Sequence, residues 1–145
     1  DFQKESLSFA QKCFDDVRAM SKDTTGVSRQ GYGPVETKVL EYFKKIGEEL
    51  KLEISTDKAG NVWMTVPGKN RELPALVSGS HADSVPQGGN YDGLAGIVAA
   101  LTVARWMRER VISRTRLYGS DDENGRKLLV WQMLCGFSRY DRPAH

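Results

Sequence analysis

The chain has 145 residues, of which 39% are hydrophobic and 28% are charged. That composition suits one domain with a buried core and excludes a disordered chain. The 21 basic and 19 acidic residues leave a formal charge of +2, which excludes a strong overall attraction to nucleic acid. No apolar run approaches the roughly 18 residues of a membrane span, so no membrane partner is expected. The two cysteines lie far apart in the sequence, which favours a reducing, cytoplasmic location.

Apolar side chains at helical spacing predict two amphipathic helices in the first fifty residues. The first helix occupies about the first twenty residues and carries Ala10, Phe14 and Val17 on one side. A loop-like stretch separates it from the second helix, which begins at Pro34, a favoured residue of the first helical turn. One stripe of the second helix forms its core face: Val35, Val39, Phe43, Ile46 and Leu50.

Three short runs have the character of β-strands. Residues 52–56 and 61–66 are joined by the turn sequence of residues 57–60, which suits a hairpin, although a mixed sheet could also use both strands. Residues 75–78 form a third, apolar run after Pro74. We expect this third strand to be buried on both faces.

The third strand leads into the densest cluster of polar residues and glycines in the sequence, residues 79–93. Apolar residues from Leu94 to Ala104 then predict a third helix, which Asp92 could cap. The order of strand, loop and helix indicates an α/β unit with its loop at the carboxyl end of a strand. Ligands in open α/β sheets bind at that end.

The loop contains the candidate site residues His81, Asp83 and Asp92. A neutral imidazole and carboxylates are ligands that zinc and similar divalent ions accept. In an extended segment His81 and Asp83 share one face, so Asp83 can accept a hydrogen bond from the imidazole nitrogen that is not on the metal. The alternative is structural: the glycines serve turns and Asp92 caps the helix. A cap role and a ligand role are compatible.

The motif from Gly79 to Gly96 resembles the first metal motif of the hydantoinase/carbamoylase family of amidases. Its matching residues are Gly79-Ser80-His81-Ala82-Asp83-Ser84-Val85-Pro86, Gly88-Gly89, Tyr91-Asp92-Gly93 and Gly96. That family comprises the N-carbamoyl-L-amino-acid hydrolase, ureidopropionase and allantoate amidohydrolase branch of the dinuclear zinc peptidase superfamily. Residues 26–29 and the Asp57-x-x-Gly60-Asn61 turn match the family pattern in the same order, so the resemblance covers about residues 5–112.

The resemblance implies an α/β fold, namely the N-terminal part of a zinc-peptidase-like catalytic domain with a mixed sheet flanked by helices. It implies that His81 binds one metal ion, that Asp92 bridges two, and that Asp83 is the catalytic residue that orients His81. The cofactors would be two divalent ions, zinc, manganese or cobalt. The intact protein would be a homodimer that hydrolyses a small ureido or amide substrate, and its substrate-binding residues are not identified.

Residues 113–145 lack the periodicity of the first hundred, and we expect them to be an aberrant tail after a truncated catalytic domain at 1–112. The family also needs a Glu-Glu pair, whose first member is the general base. Asp121-Asp122-Glu123 is interpreted as a solvated acidic turn, with Glu123 as the base in the alternative. Reading the codons one nucleotide later permits a string that contains the Glu-Glu pair. We therefore hypothesise a frameshift or a gene-model error near residues 111–116.

Other functions remain open at this point. An aminoacylase or dipeptidase of the same superfamily is the nearest alternative, and a non-enzymatic remnant that binds a partner is the alternative of a different class. Five arginines between Arg105 and Arg116 raise the possibility of an anion or nucleic-acid patch, but a solvated helix face is the favoured interpretation. The 145 residues alone are expected to be inactive.

Overall fold

The computed structural model describes residues 2–68, 71–72, 75–113 and 128–134. In these residues the elements are α1 (Phe2–Ser21), α2 (Pro34–Glu49), β1 (Glu53–Thr56), β2 (Val62–Val66), β3 (Leu76–His81), α3 (Leu94–Ser113) and β4 (Leu128–Leu134). All three predicted helices are therefore present. The combination of helices and a sheet confirms the predicted α/β class.

The helices bury the apolar faces that their periodicity predicts. Val17 of α1 and Val39 and Phe43 of α2 are wholly buried, as are Ile97 and Leu101 of α3. On β2 every second side chain is buried, so one face of this strand joins the same core. Burial of such apolar surface contributes about 25 cal/mol per Å² to folding and is the main term that holds the helices on the sheet.

The four strands form one mixed sheet in the order β1-β2-β4-β3. β1 and β2 are an antiparallel pair, with Glu53 opposite Thr65, so the predicted hairpin is confirmed and belongs to a mixed sheet. β4 lies antiparallel to β2 and parallel to β3. β4 lies within residues 113–145, which the sequence analysis expected to be an aberrant tail.

The hairpin turn is held by the carboxylate of Asp57. Its Oδ1 accepts hydrogen bonds from the backbone N–H groups of Ala59 and Asn61, both at 2.9 Å, and its Oδ2 accepts one from Asn61 Nδ2 at 2.8 Å. The Asn61 side-chain bond is the main reason that the pKa of Asp57 lies below its ordinary value. Gly60 adopts a φ of 87°, which a side chain would disfavour.

The prediction that the third strand is buried on both faces is wrong. Leu76 is 52% exposed and Val77 is 59% exposed, and burial increases only toward Ser80 and His81. β3 is an edge strand that pairs with β4 on one side. α3 packs closely on the end of this strand near Ser80, where a Cβ on Gly96 would lie 2.7 Å from the Ser80 Cβ. The apolar sequence of β3 thus predicted burial, but the described residues leave Leu76 and Val77 exposed.

In the described parts of the chain, no helix combines the length and the apolar character that crossing a membrane requires.

Candidate metal centre

The candidate residues lie where the sheet passes into α3. β3 ends at His81, the polar loop occupies residues 82–93, and α3 begins at Leu94. The carboxyl end of β3 therefore carries the loop, as the predicted α/β unit requires. At that end the first peptide N–H groups of α3 add a positive partial charge.

His81 and Asp83 form the hydrogen bond that their spacing predicts. His81 Nδ1 lies 2.9 Å from Asp83 Oδ1 and 3.1 Å from the Asp83 carbonyl oxygen. Because a carbonyl oxygen and a carboxylate only accept, Nδ1 must carry the proton. The lone pair of a neutral His81 therefore resides on Nε2, which is the state in which imidazole binds a metal ion.

Asp92 lies on the open side of this imidazole. Its Oδ1 is 3.9 Å from His81 Nε2, and its side chain is 66% exposed, against 31% for His81 and 11% for Asp83. The buried carboxylate thus holds the ring, while the exposed one faces the free nitrogen. The three residues singled out from the sequence are brought together in one cluster.

The predicted capping role of Asp92 takes a different form. Its backbone carbonyl accepts a hydrogen bond from Leu94 N at 2.7 Å, and its side chain points toward His81. Gly93 separates Asp92 from the first residue of α3. Since the carboxylate is not used as a cap, it remains available as a ligand.

The donor pair fits a divalent ion of the zinc type. Metal–nitrogen and metal–oxygen bonds of about 2.0–2.2 Å at a tetrahedral angle would place the two donors about 3.4 Å apart. The observed 3.9 Å therefore needs a closure of only about half an ångström, which an exposed carboxylate can supply. Within the described residues no group of three or more His, Cys, Asp or Glu side chains could hold a metal ion. Among the described residues, His81 and Asp92 are thus a pair of possible donors and do not form a complete ligand set.

Sequence reasoning missed Arg29 as part of this centre. Arg29 is wholly buried, and its Nε donates to the Ala82 carbonyl at 2.8 Å, between His81 and Asp83. The match of residues 26–29 to the family pattern was the available signal, but it assigned no role to the arginine.

The candidate residues of the tail fall outside the described residues. This applies to Glu123 as the alternative base and to the acidic turn at 121–123. In the arginine cluster, Arg105 donates to Glu109 at 2.6 Å and lies 5.1 Å from the centre of the Phe9 ring, while Arg108 donates to the Leu50 carbonyl at 3.1 Å. These two arginines are half-buried and make contacts within the domain, and the other arginines of the cluster lie outside the residues whose side chains are described.

Similarity to known proteins covers most of this chain. It is 36% identical over 107 residues to an N-carbamoyl-L-amino-acid amidohydrolase of Paenarthrobacter aurescens, which is 74% of this chain and 26% of the relative. It is 31% identical over 99 residues to a ureidoglycolate hydrolase of Oryza sativa subsp. japonica, or 68% of this chain and 20% of that relative. No family model matches the chain.

Comparison of the fold with solved structures finds similar amidases. A crystal structure of an amidase of the hydantoinase/carbamoylase family from Burkholderia phymatum superimposes with a TM-score of 0.65 and 24% identity, over 85% of this chain and 28% of that one. The chain therefore spans about a quarter of the length of the proteins that it matches. The predicted motif agrees with the sequence matches to curated amidohydrolases and with the shared fold. This chain therefore belongs to the hydantoinase/carbamoylase family of amidases.

Proposed function

We propose that the chain is the metal-binding N-terminal part of an amidohydrolase that cleaves the C–N bond of an N-carbamoyl amino acid or a related ureido or amide compound. The observation that carries the proposal is the oriented His81 imidazole, with Nδ1 bonded to Asp83 and Nε2 facing Asp92. Support for the substrate class comes from the relatives, which are named for hydrolysis of carbamoyl amino acids and ureidoglycolate.

Each residue of the cluster has a separate role in this proposal. His81 Nε2 and Asp92 would bind metal, with Asp92 shared between two ions, and Asp83 would keep the imidazole proton on Nδ1. Two divalent ions, zinc, manganese or cobalt, would supply polarisation of the substrate carbonyl and a more acidic attacking water. The exposure of Asp92 leaves room for both the substrate and the remaining ligands.

The proposal includes the position of this chain within a longer protein. Residues 1–112 would be part of the catalytic domain and residues 113–145 a tail translated out of frame. The lost periodicity after residue 112 supports this division. The intact protein would be a cytoplasmic homodimer. The reducing location is supported by the wide separation of the two cysteines in the sequence.

The isolated 145-residue chain is expected to show no turnover. His81 and Asp92 supply two metal donors, and hydrolysis also needs a general base at hydrogen-bonding distance from the attacking water. The measurement is ammonia or amine release from N-carbamoyl amino acids with added manganese, cobalt or zinc. Turnover that disappears in His81→Ala would contradict the prediction for this chain.

The proposed function is tested by the nucleotide sequence, genomic and transcript, across the codons for residues 104–145. One extra or missing base that restores a Glu-Glu pair in frame is expected, and the longer product should then hydrolyse N-carbamoyl or other ureido compounds with added metal. An unchanged frame in both sequences would overturn the out-of-frame tail. A restored product without metal-dependent amidase activity would overturn the function and favour a remnant that binds a partner.

A further inference from the structure

Arg29 is a wholly buried charged residue that lies outside the cluster of candidate site residues. It lies in the segment between α1 and α2, more than fifty residues from the loop that carries His81, Asp83 and Asp92. Removing a guanidinium from water costs free energy unless its N–H groups find acceptors. The acceptors that Arg29 finds therefore show where this cost is offset.

The guanidinium reaches both ends of the site loop. Nε donates to the Ala82 carbonyl at 2.8 Å, and Ala82 lies between His81 and Asp83. Nη1 lies 3.3 Å from Asn90 Oδ1, and Nη2 lies 3.4 Å from the Asn90 carbonyl, two residues before Asp92. Nη1 is also 3.3 Å from Ser21 Oγ at the end of α1. One planar group thus joins the two halves of the loop and ties them to the first helix.

Backbone hydrogen bonds hold Arg29 against the same loop. Arg29 N donates to Ser84 Oγ at 3.0 Å, and Ser84 N donates to the Arg29 carbonyl at 2.8 Å. Val27 and Gly88 exchange two more backbone bonds, at 3.0 and 2.8 Å. The segment that carries Arg29 is therefore fixed relative to the loop, which makes the guanidinium a rigid connection.

The charges near Arg29 also favour its position beside the site loop. Burial lowers the pKa of Arg29, and the negative charges of Asp83 and Asp92 oppose that lowering. An arginine suits this position because its fork can serve several acceptors in one plane, whereas a lysine ammonium is a single point charge on a flexible stem.

We propose that Arg29 is a positioning residue, which holds the loop so that the Asp83 carboxylate stays on His81 Nδ1 and His81 Nε2 stays directed toward Asp92. It acts through the Ala82 carbonyl and Asn90 and touches neither substrate nor metal. Its importance for hydrolysis rests on the proposed function, but its effect on the His81–Asp83 hydrogen bond does not.

The test reads the protonation of the His81 ring in the metal-free chain. The sequence has two histidines, so histidine labelled with nitrogen-15 gives two imidazoles, and His81→Gln identifies the signals of His81. Near pH 8, where an ordinary imidazole is neutral, the nitrogen shifts report which ring nitrogen carries the proton. The variants are Arg29→Met, which keeps much of the bulk and removes every side-chain donor, and Arg29→Lys, which keeps the charge.

In the unsubstituted chain His81 is expected to be predominantly the Nδ1–H form. Arg29→Met should lower the ratio of Nδ1–H to Nε2–H by about tenfold or more, because hydrogen bonds to charged groups shift equilibria by that much. Arg29→Lys should restore part of the ratio. Arg18→Met, at an exposed arginine of α1, is the matched control and should leave the ratio unchanged.

An unchanged ratio in folded Arg29→Met would overturn the proposal. If that variant does not fold, Arg29→Lys and Asn90→Ala decide, since each weakens the connection while leaving other acceptors in place. A reduced ratio in either one supports the positioning role, and an unchanged ratio in both overturns it. A chain that keeps the Nδ1–H form and binds no zinc would instead count against the proposed function alone.

Discussion

Gly93→Ala is expected to lower the free energy of unfolding by about 2–5 kcal/mol and to displace His81. Gly93 has a φ of 67°, a conformation that side chains disfavour. A Cβ at this position would also lie 2.6 Å from His81 Nδ1 and Cε1 and would collide with the His81 carbonyl oxygen. Backbone strain and the clash act on the same contact, so α3 and the imidazole cannot both keep their places.

Gly89→Ala is the matched control for this prediction. It lies in the same loop, but a Cβ there meets nothing within 4 Å and its φ is not in the strained range. Its effect on the free energy of unfolding should stay within about 0.5 kcal/mol. Urea unfolding followed by tryptophan fluorescence measures both variants. Equal stabilities for the two would show that the close approach of Gly93 to His81 is not present in solution.

Asp83→Asn is expected to weaken metal binding by about 10- to 100-fold, the usual effect of removing a carboxylate that orients a histidine ligand. The substitution keeps the shape of the side chain and removes the charge that is now 2.9 Å from His81 Nδ1. The neutral amide holds the Nδ1 proton less strongly and leaves the ring a poorer ligand.

The measurement for this variant is the zinc concentration that half-saturates the His81 nitrogen shifts. Asp15→Asn, on the exposed side of α1, provides the control and should bind zinc as the unsubstituted chain does. If Asp83→Asn also bound zinc with unchanged affinity, Asp83 would have no role in orienting the ligand.

Local patterns were sufficient to predict much of this fold. The apolar stripe of α2 and the turn sequence after β1 act over a few residues, so spacing alone identified the helix and the hairpin. The hydrogen bond between His81 and Asp83 was likewise predictable, because two residues of an extended chain that are two positions apart share a face.

Features that depend on distant parts of the chain could not be predicted in this way. The sequence of β3 is that of a buried strand, yet Leu76 is exposed because coverage of a strand depends on what packs on it. The position of β4 between β2 and β3 brings together residues that are far apart in the chain. Arg29 was missed for the same reason, since its acceptors at Ala82 and Asn90 lie more than fifty positions away.

The central claim, that His81 and Asp92 are metal ligands, is tested most directly by titrating zinc into the full chain labelled at histidine with nitrogen-15. The account predicts that the His81 Nε2 signal shifts on zinc addition, that Nδ1 keeps its proton, and that Asp92→Ala abolishes the shift at the same zinc concentration. The signal of His145 serves as the reference for nonspecific binding. A His81 signal that responds no more than that of His145, or that responds equally in Asp92→Ala, would contradict the claim.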